Sequence, residues 1–239
     1  MSIQLSNQEP FAKGGNRLCF IHPDDPGLVI KVRRPDRPLE KKRKAKKFPK
    51  NLRPLSSLDD NLEEFKVMRS LDKRIGESVY QVVSRCHGFV ETDLGKGLVS
   101  ELVRDGNQKI SHTLKQYIWD NDFTEECQQA VTEFAKTWTS LCGPSRDLLL
   151  HNIVVQRELD GSITRLLVID GLGSPNLVPD SFYSRPARKN RAEKKIQKLH
   201  EKIEQLLAQR GAEEFPGYHG LLIHDGDASL NSTDERSEN

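Results

Sequence analysis

The chain has 239 residues, with 37 Lys or Arg against 35 Asp or Glu, and is 35% hydrophobic and 30% charged. That length fits one large domain or two small lobes with a sizeable core, and the polar composition implies solvated segments attached to it. No apolar run approaches the roughly 18 residues of a transmembrane helix, and the first residues lack the apolar centre of a signal peptide, so a cytoplasmic protein is expected.

Cys19, Cys86, Cys127 and Cys142 form no C-x-x-C pair, which excludes a zinc knuckle or disulfide framework and leaves four buried thiols as the expectation. The net charge of +2 hides a segregation. Residues 31–53 hold twelve Lys or Arg against Asp36 and Glu40, and residues 185–202 hold eight against Glu193 and Glu201. An anionic partner for their basic centres, residues 41–47 and 188–202, nucleic acid or an acidic membrane surface, is one reading; solvated faces are the other, since neither of these two runs carries aromatic residues for base stacking.

In chain order, residues 5–33 read as strand-like runs around the Gly14-Gly15 turn, the second run ending in Lys31 between β-branched residues. Such a turn offers backbone N–H groups to a phosphate, and a strand lysine adds a point charge. Residues 33–57 form a basic, proline-punctuated insert expected to be a mobile loop. Residues 58–75 fit a helix started by Asp59 and Asp60, with Leu62, Phe65, Met68, Leu71 and Ile75 on its apolar face. Glu64 lies close to that face, and a carboxylate turned inward needs a partner, for which Lys31 is the candidate.

Residues 87–91 and 97–103 read as two further strands, and Arg104-Asp105-Gly106-Asn107 as a linker. Helical patterns follow at 111–119 and 124–141, the second with Val131, Phe134, Ala135, Trp138 and Leu141 as a buried stripe. Residues 148–155 and 166–170 are apolar β-type runs, and Asp160-Gly161 between them signals a hairpin. That pairing brings Asp147 and Asn152, on the entry loop, near Asp170 at the exit. Two carboxylates and a carboxamide are hard oxygen ligands of the kind Mg²⁺ accepts, usually together with substrate phosphates. Each of the three taken alone is also an ordinary turn former. A helix is expected over 187–209, and a polar, acidic tail after it, disordered from about Asp225.

The succession of glycine turn, strand lysine, inward helical glutamate, strand pair, linker, helix, D-x-x-x-x-N, strand pair and Asp170-Gly171 resembles the protein-kinase-like fold over residues 11–173. Residues 11–20 and 87–93 are similar to the PhoP regulatory network (YrbL-like) family of that fold. The resemblance implies an α+β protein: an N-lobe at 1–104, with an antiparallel sheet, one helix and the basic insert; a reduced helical C-lobe at 105–212; and a largely disordered acidic tail at 213–239. It also implies roles. Gly14 and Gly15 would cover the phosphates of ATP, Lys31 would hold them while paired with Glu64, and the backbone near Glu101 would meet the adenine. Asp147 would be the catalytic carboxylate, and Asn152 and Asp170 would hold Mg²⁺.

Several departures narrow the expected function. The turn lacks a full G-x-G-x-x-G, Ser145 replaces the catalytic-loop histidine, Leu149 stands where protein kinases of this type carry a lysine, and Asp170-Gly171-Leu172-Gly173 replaces D-F-G. No A-P-E segment follows, so Arg146 has no activation loop to read and a protein substrate lacks its platform. The leading expectation is an ATP- and Mg²⁺-dependent phosphotransferase acting on a small or non-protein hydroxyl. A catalytically silent kinase-like regulatory module and a polyanion-binding protein are the alternatives.

Overall fold

A computed structural model describes residues 2–48, 50–52, 54–173 and 182–226. The fold is α+β. A five-stranded antiparallel sheet has the order β1-β2-β3-β5-β4, where β1 is Ala12–Lys13, β2 Arg17–His22, β3 Asp25–Arg33, β4 Cys86–Thr92 and β5 Gly95–Glu101. A second, two-stranded sheet pairs β6 (Ile153–Arg157) with β7 (Ile163–Val168), closed by the Asp160-Gly161 turn with Gly161 at φ +89°. The remaining helices are α1 (Leu39–Lys44), α2 (Asp60–Ile75), α3 (Leu114–Asn121), α4 (Glu125–Ser140) and α5 (Arg185–Gln209).

Helix α2 starts where the sequence places it, with the Asp59 carboxylate accepting from the N–H groups of Asn61 and Leu62 at 3.0 and 3.3 Å. Its buried face differs from the expected apolar stripe. Asn61, Glu64, Met68 and Leu71 are buried, whereas Leu62 and Phe65 are only partly so. The helix is rotated so that two polar side chains, three residues apart, face the sheet. Helix α4 buries Cys127, Val131, Phe134 and Trp138, and α5 buries Ala192, Leu199, Ile203 and Leu206; both pack into one large apolar cluster with β6 and β7. Trp138 is 1% exposed at its centre.

The basic insert is more structured than a mobile loop. It contains α1, which buries no residue, and Lys42 ties it down by donating to the Leu58 carbonyl at 2.9 Å and to Asp60 at 2.7 Å. Two of the four thiols also depart from expectation: Cys127 and Cys142 are buried, Cys19 and Cys86 only partly, and all four are free. No helix among the described residues is long and apolar enough to cross a membrane.

The linker between the sheets is held by a single buried carboxylate. Asp105, 3% exposed, accepts from the Ser111 hydroxyl at 2.6 Å, from the Arg157 backbone N–H at 3.0 Å and from the Arg157 guanidinium at 2.9 and 2.6 Å. Replacing it leaves a guanidinium and a hydroxyl facing a low-dielectric interior. Asp105→Ala is expected to lower the unfolding free energy by about 3 kcal/mol, the scale of breaking a buried ion pair on one side. Urea unfolding of the full chain measures it, and a loss under about 1 kcal/mol would show that the linker is fixed by other contacts.

Candidate nucleotide and phosphoryl-transfer site

Two cations meet two carboxylates beneath the glycine turn. Lys31, at 5% exposure on central strand β3, donates to Glu64 Oε1 at 2.7 Å and to the Ile169 carbonyl at 2.6 Å. Arg17, at the start of β2, donates to Glu64 Oε2 at 2.6 Å and to Asn61 Oδ1 at 3.1 Å, and its second terminal nitrogen pairs with Asp170. Asn61 in turn donates to the Lys31 carbonyl at 2.7 Å. The inward turn of Asn61 and Glu64 on α2 is what lets both cations be buried at once.

Asp170 lies where β7 ends, with 46% of its side chain accessible. Burial raises its pKa, but the charges of Arg17 and Lys31, the Arg17 hydrogen bond and the Gly171 N–H outweigh this and hold it down to about 2. Arg17 responds in the opposite sense. Burial opposes its charge, and Asp170 and Glu64 more than offset that, so its pKa rises well above the ordinary range.

The entry loop closes against the same turn. Arg146 N–H donates to the Gly171 carbonyl and Ile169 N–H to the Asn152 carbonyl, both at 2.9 Å. A Cβ on Gly171, which has φ +77°, would lie 2.6 Å from Asn152 Nδ2 and 2.8 Å from the Asp147 carbonyl. Asp147, Asn152 and Asp170 are thus gathered around one glycine, as the hairpin pairing requires. Asp147 is exposed and Asn152 is buried. Lys195 of α5 donates to the Arg146 carbonyl at 2.5 Å and interacts electrostatically with Asp147. Arg146 itself pairs with Asp60 at the start of α2, at 3.1 Å.

Lys31, Asn152 and Asp170 line a cavity of about 140 Å³, together with Phe11, Cys19, Val29 and Val154 among others; Arg17, Glu64 and Asp147 are not part of its lining. Glu101 lines it too, but its backbone N–H is taken by the Arg85 carbonyl at 2.8 Å. Gly14 also lines it, with its N–H closing the turn on the Arg17 carbonyl at 2.9 Å. Gly15 faces His219, whose ring lies 4.0 Å from where a Cβ would sit.

The tail departs most from expectation. The sequence predicts a largely disordered tail over 213–239; residues 213–226 lie within the described part of the chain, and His219–Leu222 line the cavity. Residues 174–181 and 227–239 lie outside the described residues. Polar bonds and an apolar anchor explain the change: Ile223 N–H donates to the Phe11 carbonyl at 2.8 Å, and Leu222 packs on the cluster of Phe11, Val29, Leu102 and Ile110.

The family profile described as PhoP regulatory network protein YrbL matches residues 3–204. The chain belongs to this family. The uncharacterized protein YrbL of Escherichia coli (strain K12) is 25% identical over 187 residues, covering 77% of this chain and 79% of that one, and the protein of the same name from Shigella flexneri matches equally. Among solved structures, Rad53 1–466 in complex with AMP-PNP is similar at a TM-score of 0.42 and 14% identity, over 87% of this chain and 48% of that one, so the chain spans about half its length. The order of elements sets a five-stranded antiparallel sheet and α2 ahead of a two-stranded sheet packed with α4 and α5, with Lys31 paired to Glu64 and the entry loop closing on Gly171.

Arg17, Asn61 and the segment 213–226 are the parts of this YrbL-family site that sequence reading missed. Asn61 carried a usable signal, since it stands one helical turn before Glu64 and so shares its face. Arg17 carried little, because an arginine two residues after a turn is ordinarily solvated. His151 is a packing residue: it stacks on His219 at 5.2 Å between ring centroids, and burial, with the neighbouring His219 and Lys115, pushes its pKa down to about 4.

Arg17→Gln removes a buried cation from Glu64 and is expected to cost about 3 kcal/mol at pH 7, chiefly through Glu64. The smaller contribution from half-exposed Asp170 has a defined pH range. Its folded pKa is depressed, so that contribution is present above the ordinary carboxylate value of 3.8 and is lost as pH falls through about 2. Urea unfolding at neutral and acid pH reads both, and a difference between wild type and variant that widens on acidification would contradict the assignment.

Proposed function

We propose that this protein is an ATP- and Mg²⁺-dependent phosphotransferase acting on a small or non-protein hydroxyl. The observation that carries the reading is the buried Lys31–Glu64 pair at 2.7 Å, set beside Asp170 at the edge of a cleft. A buried lysine held by one carboxylate and one carbonyl is a preorganised point charge for a phosphate. Asn152 and Asp170 offer the oxygen donors Mg²⁺ takes when phosphates and water complete its shell, so the residues present suit that ion. When bound, the ion would neutralise charge on the transferred phosphoryl group.

The chain's own residues have separable roles. Lys31 binds phosphate oxygens, Glu64 and Arg17 fix its environment, and exposed Asp147 orients the acceptor hydroxyl. As the new oxygen–phosphorus bond forms and the bond to the ADP oxygen breaks, the hydroxyl proton passes to Asp147 and the electron pair leaves with ADP. Lys195 positions Asp147 through the carbonyl that precedes it. Leu149 brings no charge to the transferred group, which favours slow turnover. A second reading, a regulatory module that binds nucleotide without catalysis, is favoured by the engagement of Asp170 by Arg17.

Two substitutions separate these readings. Lys31→Met is expected to weaken ATP binding, and equal affinity in variant and wild type would sink the site. Asp147→Asn is expected to leave ATP affinity nearly unchanged and to lower phosphoryl transfer by roughly 10²-fold or more, the loss typical of a positioned general base. Turnover is read as ADP formed against phosphorylated acceptors in a cell extract; wild type that binds Mg·ATP and transfers nothing leaves the regulatory module as the function.

A further inference from the structure

The chain from 213 to 226 is not a loose end lying beside the cleft. Lys115, on α3, donates to the carbonyls of Pro216 and, at 3.1 Å, His219. Thr113, whose hydroxyl caps α3, donates to the Gly220 carbonyl at 2.8 Å. Gly220 has φ +94°, and a Cβ there would lie 2.8 Å from His151 Cβ and 3.0 Å from Thr113 Oγ1, so the backbone passes at a separation only glycine allows. Beyond it, Ile223 N–H adds its bond to the edge strand region at Phe11, and Ile110 N–H donates to the Asp225 carbonyl at 3.2 Å. The segment therefore bridges the N-lobe sheet and α3.

Its apolar part enters the space that a nucleotide base would use. Leu222 packs on Phe11, Val29, Leu102 and Ile110, the apolar wall of the cleft. His219, Gly220, Leu221 and Leu222 line the same cavity as Lys31, Glu101 and Asp170. With the segment in place about 140 Å³ remains, below the roughly 300–1,000 Å³ of sites that hold ligands of nucleotide size.

We propose that the nucleotide cleft is the docking site of this chain's own C-terminal segment, residues 216–226, and that segment and nucleotide exclude one another. The proposal rests on the nucleotide reading of the cleft. By linkage, whatever the docked segment subtracts from nucleotide affinity, nucleotide subtracts from docking, so nucleotide binding presents the segment to solvent. A segment docked in 90–99% of molecules lowers apparent nucleotide affinity about 10- to 100-fold.

The test uses the full chain carrying Gly220→Val, which places a side chain where the backbone must pass, or Leu222→Asp, which puts a charge on the apolar wall. Neither residue belongs to the phosphate, metal or proton-transfer groups. Mg·ATP titration of wild type and both variants is combined with hydrogen exchange of the Ile223 amide with and without ATP. Tenfold or tighter binding in both variants, with ATP speeding Ile223 exchange in wild type, is the expected result. Variants that bind Mg·ATP no better than wild type overturn the exclusion and leave the nucleotide reading intact. Slower Ile223 exchange with ATP overturns it too, by showing that the segment closes over bound nucleotide. If neither wild type nor variants bind ATP, the nucleotide reading falls, and the exclusion with it.

Discussion

A guanidinium and an ammonium buried against Glu64 bind β2, β3 and α2 to the turn at Asp170, and none of these elements can shift alone without stranding a charge in the interior. Arg17 and Lys31 each use a second acceptor, Asp170 and the Ile169 carbonyl, that belongs to the end of β7. The two sheets are therefore joined through charge as well as through apolar packing. Asp170 is by far the most exposed of the four, with 46% of its side chain accessible against 6–7% for Arg17, Lys31 and Glu64.

Around that network the smaller ties have a common direction. Asp60 collects Lys42 from the insert, Asn16 from the glycine turn and Arg146 from the entry loop, so the start of α2 is tied to three segments. Burial raises the Asp60 pKa, and Lys42, Arg17 and Arg146 more than offset it, leaving the group below its ordinary value. Lys195 holds the other side of that entry loop from α5, so a helix late in the chain supports the backbone beside Asp147.

What the sequence made legible follows from short-range rules. The hairpin around Asp160-Gly161 and the strand pair ending in Lys31 are set by turn chemistry and β-branched runs, and the inward Glu64 follows from helical periodicity. On α2, Met68 and Leu71 are buried as read and Glu64 is inward, but Asn61 is buried while Leu62 and Phe65 are only partly so, because a polar residue such as Asn61 is invisible to a hydrophobic pattern until its partners are known. Gly14 was read as a phosphate donor, but its N–H closes its own turn, a detail of backbone geometry that composition does not carry. The segment at 213–226 read as tail because its apolar residues show neither a strand nor a helix period; its placement depends on Leu222, Gly220 and the carbonyls that Thr113 and Lys115 reach across more than a hundred residues.

The central claim is that Asp170 changes partner from Arg17 to a divalent ion when nucleotide enters. Equilibrium titration of ATP with and without Mg²⁺, in wild type and in Asp170→Asn, tests it most directly. Mg²⁺ is expected to tighten ATP binding in wild type and to have little effect in Asp170→Asn. The same Mg²⁺ dependence in both chains would contradict it.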